Sequence, residues 1–316
     1  IENLSIHPGA AVFHYGAEVF EGLKAYRTAD GKVQMFRPRD NMERMRNSAE
    51  RIQLPDFDAD FMLEALTKLV ALDQDWVPNA PGTSLYIRPV EFCTDIDLGL
   101  HNIGHAKMMI ILSPVGAYLA GGLRPVSILI EDHDVRAVRG GTGYAKCGGN
   151  YAAANRAAAK AEQKGYDQVL WLDGVHQRYI EEVGGMNVMF KIDGKIVTPA
   201  LTGSVLPGIT RRSCIQLLKD KGYEVEERLF AVDELIKTLE SGKLEEAWGL
   251  RHRRRHFPHR QVLLPGQGLR HRRGEWTYRP VAVRYPDRHP VGQHCRPLRL
   301  GLPCAREALI LHKRTA

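Results

Sequence analysis

The chain changes character at about residue 250, and that break decides how much of it can fold around a common core. Residues 251–316 hold fifteen Arg and one Lys against Glu275, Asp287 and Glu307, a balance of +13. The same stretch holds seven of the thirteen His and seven of the seventeen Pro. The first 250 residues hold 28 basic and 34 acidic side chains, a balance of −6. The net charge of +7 therefore belongs to the last fifth of the chain alone. An Arg excess invites a nucleic-acid reading, but one confined to a terminal segment asks for its own cause. With 44% hydrophobic and 26% charged residues, the composition excludes a wholly disordered or collagen-like protein. The longest apolar stretch, 108–120, is interrupted by Ser113 and Pro114 and falls short of the ~20 residues of a membrane helix. No membrane association is expected. Five cysteines without a CxxC pair fit a reducing, cytoplasmic setting. A chain that starts on Ile1 remains compatible with an upstream targeting segment.

Within the first 250 residues, β-rich apolar runs alternate with helical patterns, which predicts a mixed α/β fold. Residues 33–36 read as a short strand. Pro38 stands where a first-turn proline belongs, and Met42, Met45, Ala49 and Ile52 follow at helical spacing. A second helix is expected over 59–72. Strands are expected at 84–90, 106–112 and 126–131, an Ala-rich helix at 152–163, strands at 168–172 and 187–192, and helices at 211–221 and 232–241. The Gly- and Pro-rich stretch 113–124 reads as a crossing between two domains. The expected units are a small domain over 1–116, a linker over 117–125, a large domain over 126–249 and the anomalous tail over 250–316.

Three segments carry candidate chemistry. Arg139-Gly-Gly-Thr-Gly-Tyr-Ala-Lys146-Cys-Gly-Gly-Asn-Tyr151 places one lysine among five glycines, just ahead of a helix. A phosphate-binding P-loop needs Gly before the Lys and Ser or Thr after it, and Ala145 and Cys147 break both requirements. What remains is a lysine on closely approaching backbone, the setting of a lysine nucleophile that meets a flat carbonyl cofactor. Ile180-Glu-Glu-Val-Gly-Gly-Met-Asn187 leads two carboxylates into glycines and an apolar strand. Leu206-Pro-Gly-Ile-Thr-Arg-Arg212 sets Gly208 to Thr210 at a helix start suited to a phosphate. Each alone fits a plain structural role equally well: a solvated turn for the first two, a capped helix for the third.

Together, and in this order, they resemble the branched-chain aminotransferases, pyridoxal-phosphate enzymes of the class IV (fold type IV) family. His14-Tyr-Gly-Ala-Glu-Val-Phe-Glu-Gly-Leu-Lys-Ala-Tyr26, Ser84-Leu-Tyr-Ile-Arg-Pro89 and Ser113-Pro-Val-Gly-Ala-Tyr118 extend the resemblance, which spans about Asn3 to Gly249. The resemblance implies a two-domain architecture with pyridoxal 5'-phosphate in the cleft. It makes Lys146 the Schiff-base lysine and proton shuttle, Glu182 the partner of the ring nitrogen and Tyr151 the phenol on the ring's 3-oxygen. Arg88, Ile209 and Thr210 would hold the phosphate. Tyr15, Phe20 and Tyr118 would line an apolar side-chain pocket, with Gly185 standing where some members have Thr. The implied activity is transfer of an amino group from leucine, isoleucine or valine to 2-oxoglutarate in amino-acid biosynthesis, by a homodimer whose 101–104 loop closes the neighbouring site. No metal is expected. Related class IV enzymes acting on D-amino acids are the alternative within the family, and a nucleic-acid binder using the basic tail is the alternative outside it.

Family members continue past the position of Gly249 with a second phosphate loop of Gly-Thr-Ala-Ala type. Here the chain reads Leu250-Arg-His-Arg-Arg-Arg-His-Phe-Pro-His-Arg260. Permitted codons for that stretch, read one base later, can spell such a loop. The same shift lets 280–290 and 295–301 encode segments resembling the family's C-terminal portion in its proper order. A single frameshift near residue 249 or 250 is the expectation, with impaired activity for the chain as it stands. A nucleic-acid-binding tail using Trp276 or Tyr278, or a metal site from His289, His294, Cys295 and Cys304, would be the rival accounts.

Overall fold

The computed structural model describes residues 3–116 and 126–250, and the backbone of 255–257 and 262–263. The expected linker at 117–125, Tyr118 within it, and nearly all of the expected tail lie outside the described residues.

The chain opens with a short helix α1 (Ala11–Tyr15), then strands β1 (Glu18–Phe20), β2 (Leu23–Arg27) and β3 (Val33–Met35) and helices α2 (Pro38–Arg51) and α3 (Ala59–Leu72). Strands β4 (Ser84–Cys93) and β5 (Ala106–Val115) complete a five-stranded antiparallel sheet. Strand β4 is its spine. One edge pairs with β5 along all ten residues, and the other is divided between β2 at Leu85–Ile87 and β1 at Val90–Phe92. Pro38 takes the first turn of α2, and the Asp58 carboxylate accepts from the Asp60 and Phe61 amides to start α3. Met42 on α2 and Met62, Leu66 and Val70 on α3 are buried against Leu23, Ala25, Leu85 and Ile87. That packing fixes the sheet's second face: alternation along β4 sends Tyr86 and Arg88 to the side away from the helices.

The remaining elements build two further sheets. Strand β6 (Ile128–Glu131) is followed by α4 (Gly148–Ala152), α5 (Asn155–Gln163), β7 (Gln168–Leu172) and β8 (Ile180–Val183). Strands β6 and β7 are parallel, joined through α5, whose Ala157 and Ala161 pack on Leu129, Val169 and Trp171. Strands β9 (Asn187–Ile192) and β10 (Lys195–Pro199), helix α6 (Ile209–Asp220), strand β11 (Val225–Arg228), helix α7 (Val232–Glu240) and strand β12 (Leu244–Leu250) follow. Two short strands extend the sheets beyond residue 250: β13 (Arg255–Phe257) pairs with β12, and β14 (Val262–Leu263) pairs with β6. The core between the two sheets is apolar, with Ile130, Leu170, Val188, Phe190, Val197 and Phe230 all buried. The mixed α/β class is as expected. Among the described residues, no helix is long and apolar enough to cross a membrane.

Two elements differ from the sequence reading. Ser113–Val115 finishes β5 rather than starting a crossing, because Tyr86, Leu85 and Ser84 offer backbone partners for it. The Ala-rich helix breaks at Ala153–Ala154, and its first part begins earlier, at Gly148.

Glu91 on β4 is 3% exposed, and its Oε2 has no hydrogen-bond partner among the described residues. Burial, with the nearby Asp56 carboxylate adding to it, pushes its pKa up to about 7. A carboxyl whose folded pKa is raised favours the fold at low pH and loses that contribution as pH climbs through about 7. Glu91→Gln is therefore expected to melt near the wild-type temperature at pH 5 and several degrees higher at pH 8, at about 2–4 °C per kcal/mol. Equal melting shifts at both pH values, followed by circular dichroism, would contradict this.

Candidate functional site

Lys146 reaches its place through backbone contacts to helix and sheet. Its amide donates to Ser48 Oγ on α2 at 2.9 Å, and its carbonyl accepts from the Phe20 amide at 3.0 Å. The loop ahead of it is stapled by Asn150, whose Nδ2 donates to the Thr142 and Ala145 carbonyls at 2.8 Å each. Arg51 on α2 donates to the Gly140 and Gly141 carbonyls. Gly143 is required by close approach: a Cβ there would lie 2.2 Å from the Ser204 carbonyl oxygen.

The half-buried Lys146 side chain extends over the Phe20 ring, 4.8 Å from its centroid, and Nζ donates to Tyr151 Oη at 2.8 Å. Phe20 and Tyr151 are tilted against each other with centroids 5.0 Å apart. Arg88 covers Phe20 from the sheet, with its guanidinium 4.6 Å from the ring centroid and Nη2 donating to Tyr86 Oη at 2.7 Å. Its Nε is buried without a hydrogen-bond partner among the described residues. Gly185 lies beside Tyr151, where a Cβ would meet Cε1 at an ordinary 3.8 Å.

Glu182 is 3% exposed on β8. Its Oε1 accepts from the Leu206 amide at 2.9 Å and from Asn187 Nδ2 at 3.4 Å. Among the described residues, its Oε2 faces the Arg136 guanidinium alone, with Nε at 3.5 Å. Burial raises its pKa, and Arg136, the Leu206 amide, Lys146 and Arg44 pull the other way. The Leu206 contact ties Glu182 to the start of α6, where Gly208 precedes Ile209 and Thr210 with no side-chain cap. Among the described residues, no side chain accepts from the first helical amides there.

Of the expected residues, the structure joins Lys146, Tyr151, Phe20, Arg88 and Gly185 into one cluster; Glu182 feels the Lys146 charge and is tied through the Leu206 amide to the helix start that holds Ile209 and Thr210. Tyr15 is placed differently. It is 44% exposed on α1, and its hydroxyl donates to the Leu98 carbonyl.

Several residues at the site escaped the sequence reading. Glu21 is fully buried, with Arg44 clamping it through Nε at 2.7 Å and Nη2 at 2.9 Å and Asn41 donating at 2.8 Å. Burial alone would raise its pKa, but the Arg44 guanidinium outweighs it and holds the carboxyl below its ordinary value. Arg44 also donates to the Pro207 carbonyl at 3.2 Å, two residues before α6, and its charge acts on Tyr151 and Glu182. Glu18, on the Phe20 face of β1, accepts from the Gly148 amide. Sequence signals for these were slight: a Glu next to glycine, and arginines on the polar side of an amphipathic helix.

A match to the Amino-transferase class IV sequence profile covers residues 18–248. The chain belongs to the class IV aminotransferases. Its relatives place it on the branched-chain branch of that enzyme family. Branched-chain-amino-acid aminotransferase 2 of Bacillus subtilis is 55% identical over 246 residues, covering 78% of this chain and 68% of that protein. The Mycolicibacterium smegmatis branched-chain-amino-acid aminotransferase is 47% identical over 250 residues, again 78% and 68%. The crystal structure of the Escherichia coli enzyme matches with a TM-score of 0.70 at 29% identity, covering 82% and 81%. The branched-chain aminotransferase of the thermophilic archaeon Thermoproteus uzoniensis, solved with norvaline, matches with a TM-score of 0.69 at 27% identity, covering 82% of each chain. The fold type IV architecture follows from these matches.

Exposed pairs such as Arg46–Asp56 contribute little, because solvent screens them. Removing one partner of a buried pair costs roughly 3–5 kcal/mol. Arg44→Met should therefore destabilise the protein by roughly that amount, and adding Glu21→Gln should recover most of it. Urea denaturation of the single and double variants measures this, and a single variant as stable as the double would contradict it.

Proposed function

We propose that this chain's site takes pyridoxal 5'-phosphate and transfers the amino group of leucine, isoleucine or valine to 2-oxoglutarate. The carrying observation is Lys146 Nζ, 2.8 Å from a phenol and over an aromatic ring, in a chain 55% identical to a branched-chain aminotransferase. The donor set fits the cofactor. A lysine and a phenol stand together, Glu182 Oε2 makes no hydrogen bond among the described residues, and a helix start with the Arg44 guanidinium on the Pro207 carbonyl just ahead of it suits a phosphate dianion.

When bound, the cofactor supplies an electron-withdrawing ring that makes the substrate Cα–H acidic. Lys146 would be the covalent anchor and, once freed, its Nζ would take and return the proton at the substrate Cα. Tyr151 Oη holds the lysine by accepting from Nζ and would donate toward the ring oxygen. Glu182 Oε2 would accept the ring N–H, and burial, which raises the pKa of its carboxyl, makes it the stronger acceptor. We assign the phosphate end to Ile209, Thr210 and Arg44. Arg88, expected there from the resemblance, is assigned instead to the substrate side, because it lies over Phe20 beside Tyr86. The rings of Phe20 and Tyr151 supply an apolar wall for a branched side chain, and Gly185 beside Tyr151 leaves space for the substrate carboxylate. The D-amino-acid alternative is not favoured by the relatives.

The proposed enzyme is a homodimer with a small domain over 1–116 and a large one over 126–249. Phe13, Tyr15, Ile96, Leu98 and Leu100 are exposed together around the Tyr15–Leu98 contact, Leu100 at 88%. An apolar group of that size suits burial against a second copy. Tyr15 would then serve the neighbouring site rather than its own.

Residues 250–316 are, on this proposal, the remainder of the large domain read out of frame. The family match ends at residue 248, two residues before the charge balance reverses. The chain as it stands is expected to show weak leucine-to-2-oxoglutarate transfer, and the frame-restored chain ordinary transfer with a visible absorption band. Lys146→Ala in the restored chain should remove the band and at least about a thousandfold of the rate. Equal rates for the original and restored chains would overturn the frame proposal, and a restored chain without transfer would overturn the function.

A further inference from the structure

Glu181 and Glu182 are successive residues of β8, and both carboxylates are buried, 4% and 3% exposed. The Arg136 guanidinium pairs with Glu182 and acts on Glu181 through its charge. Arg136, itself 8% exposed, is fixed by donating from Nη2 to the Gly143 carbonyl at 3.3 Å and to the Ser204 carbonyl. Its Nε faces Glu182 Oε2 at 3.5 Å and makes no hydrogen bond among the described residues. Ser204 is shared: its carbonyl takes Arg136, and its hydroxyl donates to Glu181 Oε1. Glu181 Oε2 is buried with no partner among the described residues.

We propose that Arg136 is a positioning residue for Glu182, and that Glu181, tethered beside it through Ser204, sets how much of the Arg136 charge Glu182 feels. The proposal rests on the reading of Glu182 as the acceptor for the cofactor's ring N–H. A guanidinium at 3.5 Å, not closer, aims Oε2 without occupying it. It also offsets the cost of burying the Glu182 charge.

Glu181 adds a second charge state. Burial pushes its pKa up to about 7, with the Ser204 hydroxyl and Arg136 opposing and Glu182 and Asp173 reinforcing. The groups acting on the neighbouring Glu182 are Arg136, Lys146 and Arg44. Below about pH 7 a neutral Glu181 leaves the Arg136 charge to Glu182 and weakens it as an acceptor. Above that pH the ionised Glu181 draws on the same guanidinium and returns negative potential to Glu182. The acceptor therefore strengthens over the range in which a ring nitrogen tends to give up its proton.

Pyridoxamine 5'-phosphate, which cannot form the lysine linkage, is the probe. Its Kd is measured by fluorescence from pH 5.5 to 9 on the full chain and its frame-restored form. Glu181→Gln should bind as wild type at pH 6 and about three- to tenfold more weakly at pH 8, with the gap opening near pH 7. Arg136→Met should bind about tenfold more weakly throughout, with Arg136→Lys recovering part of it, while circular dichroism shows both folded. A Glu181→Gln gap that is constant across pH overturns the role of Glu181. Wild-type affinity in a folded Arg136→Met overturns the positioning role. No binding by either wild-type form overturns the functional reading itself, a result distinct from normal binding without the pH-dependent gap.

Discussion

A carboxylate taken out of water must find a cation or several N–H donors, and this site is arranged around that requirement. Glu21 meets it with Arg44 and Asn41 from α2, Glu182 with Arg136, Asn187 and the Leu206 amide, and Glu131 with Lys160. In each case at least one partner comes from a different element. Satisfying the charge therefore also fixes where the elements sit. Arg44 is the clearest case, because one side chain clamps Glu21 beside β1 and caps the Pro207 carbonyl ahead of α6.

Helix α2 carries most of this arrangement. Its Ser48 and Arg51 hold the backbone of the lysine loop, while Arg44 holds both Glu21 and the approach to α6. Arg37 Nη1 donates to Ser213 Oγ at 2.9 Å, and Arg212 pairs with Asp40 at 2.6 Å, so α2 is also joined to α6 along its outer side. One face of α2 is apolar and packs on the first sheet, which gives the polar residues a rigid base. The lysine, the phenol and the helix start are thereby held relative to one another before any ligand arrives, the condition under which binding loses least to ordering.

The helices were legible because their apolar period is local. Helix α3 runs over 59–72 as its spacing suggests, and α2 starts at Pro38. Strands β1, β2, β10 and β11 were not read, being three to five residues long and stabilised by partners far away in the chain, such as Glu18 opposite Phe92. The site divides the same way. Lys146, Tyr151 and Glu182 lie in glycine-marked segments whose order carried the family resemblance. Arg44, Arg136 and Ser48 act across 23, 46 and 98 residues of sequence. No local pattern distinguishes an arginine that enters a cleft from one that stays in water.

The tail shows the same principle from the other side. Strand β12 ends on the buried Leu250, and the backbones of β13 and β14 pair with β12 and β6. Backbone hydrogen bonds are indifferent to side chains, so a strand can be extended by any residue but proline. A core is not indifferent. With sixteen cations against three acids, residues 251–316 have carboxylates for few of their guanidinium groups. The first 250 residues, at −6, supply cations of their own to the buried Glu21, Glu131 and Glu182. The charge reversal and the end of the family match thus fall at one boundary of the sequence.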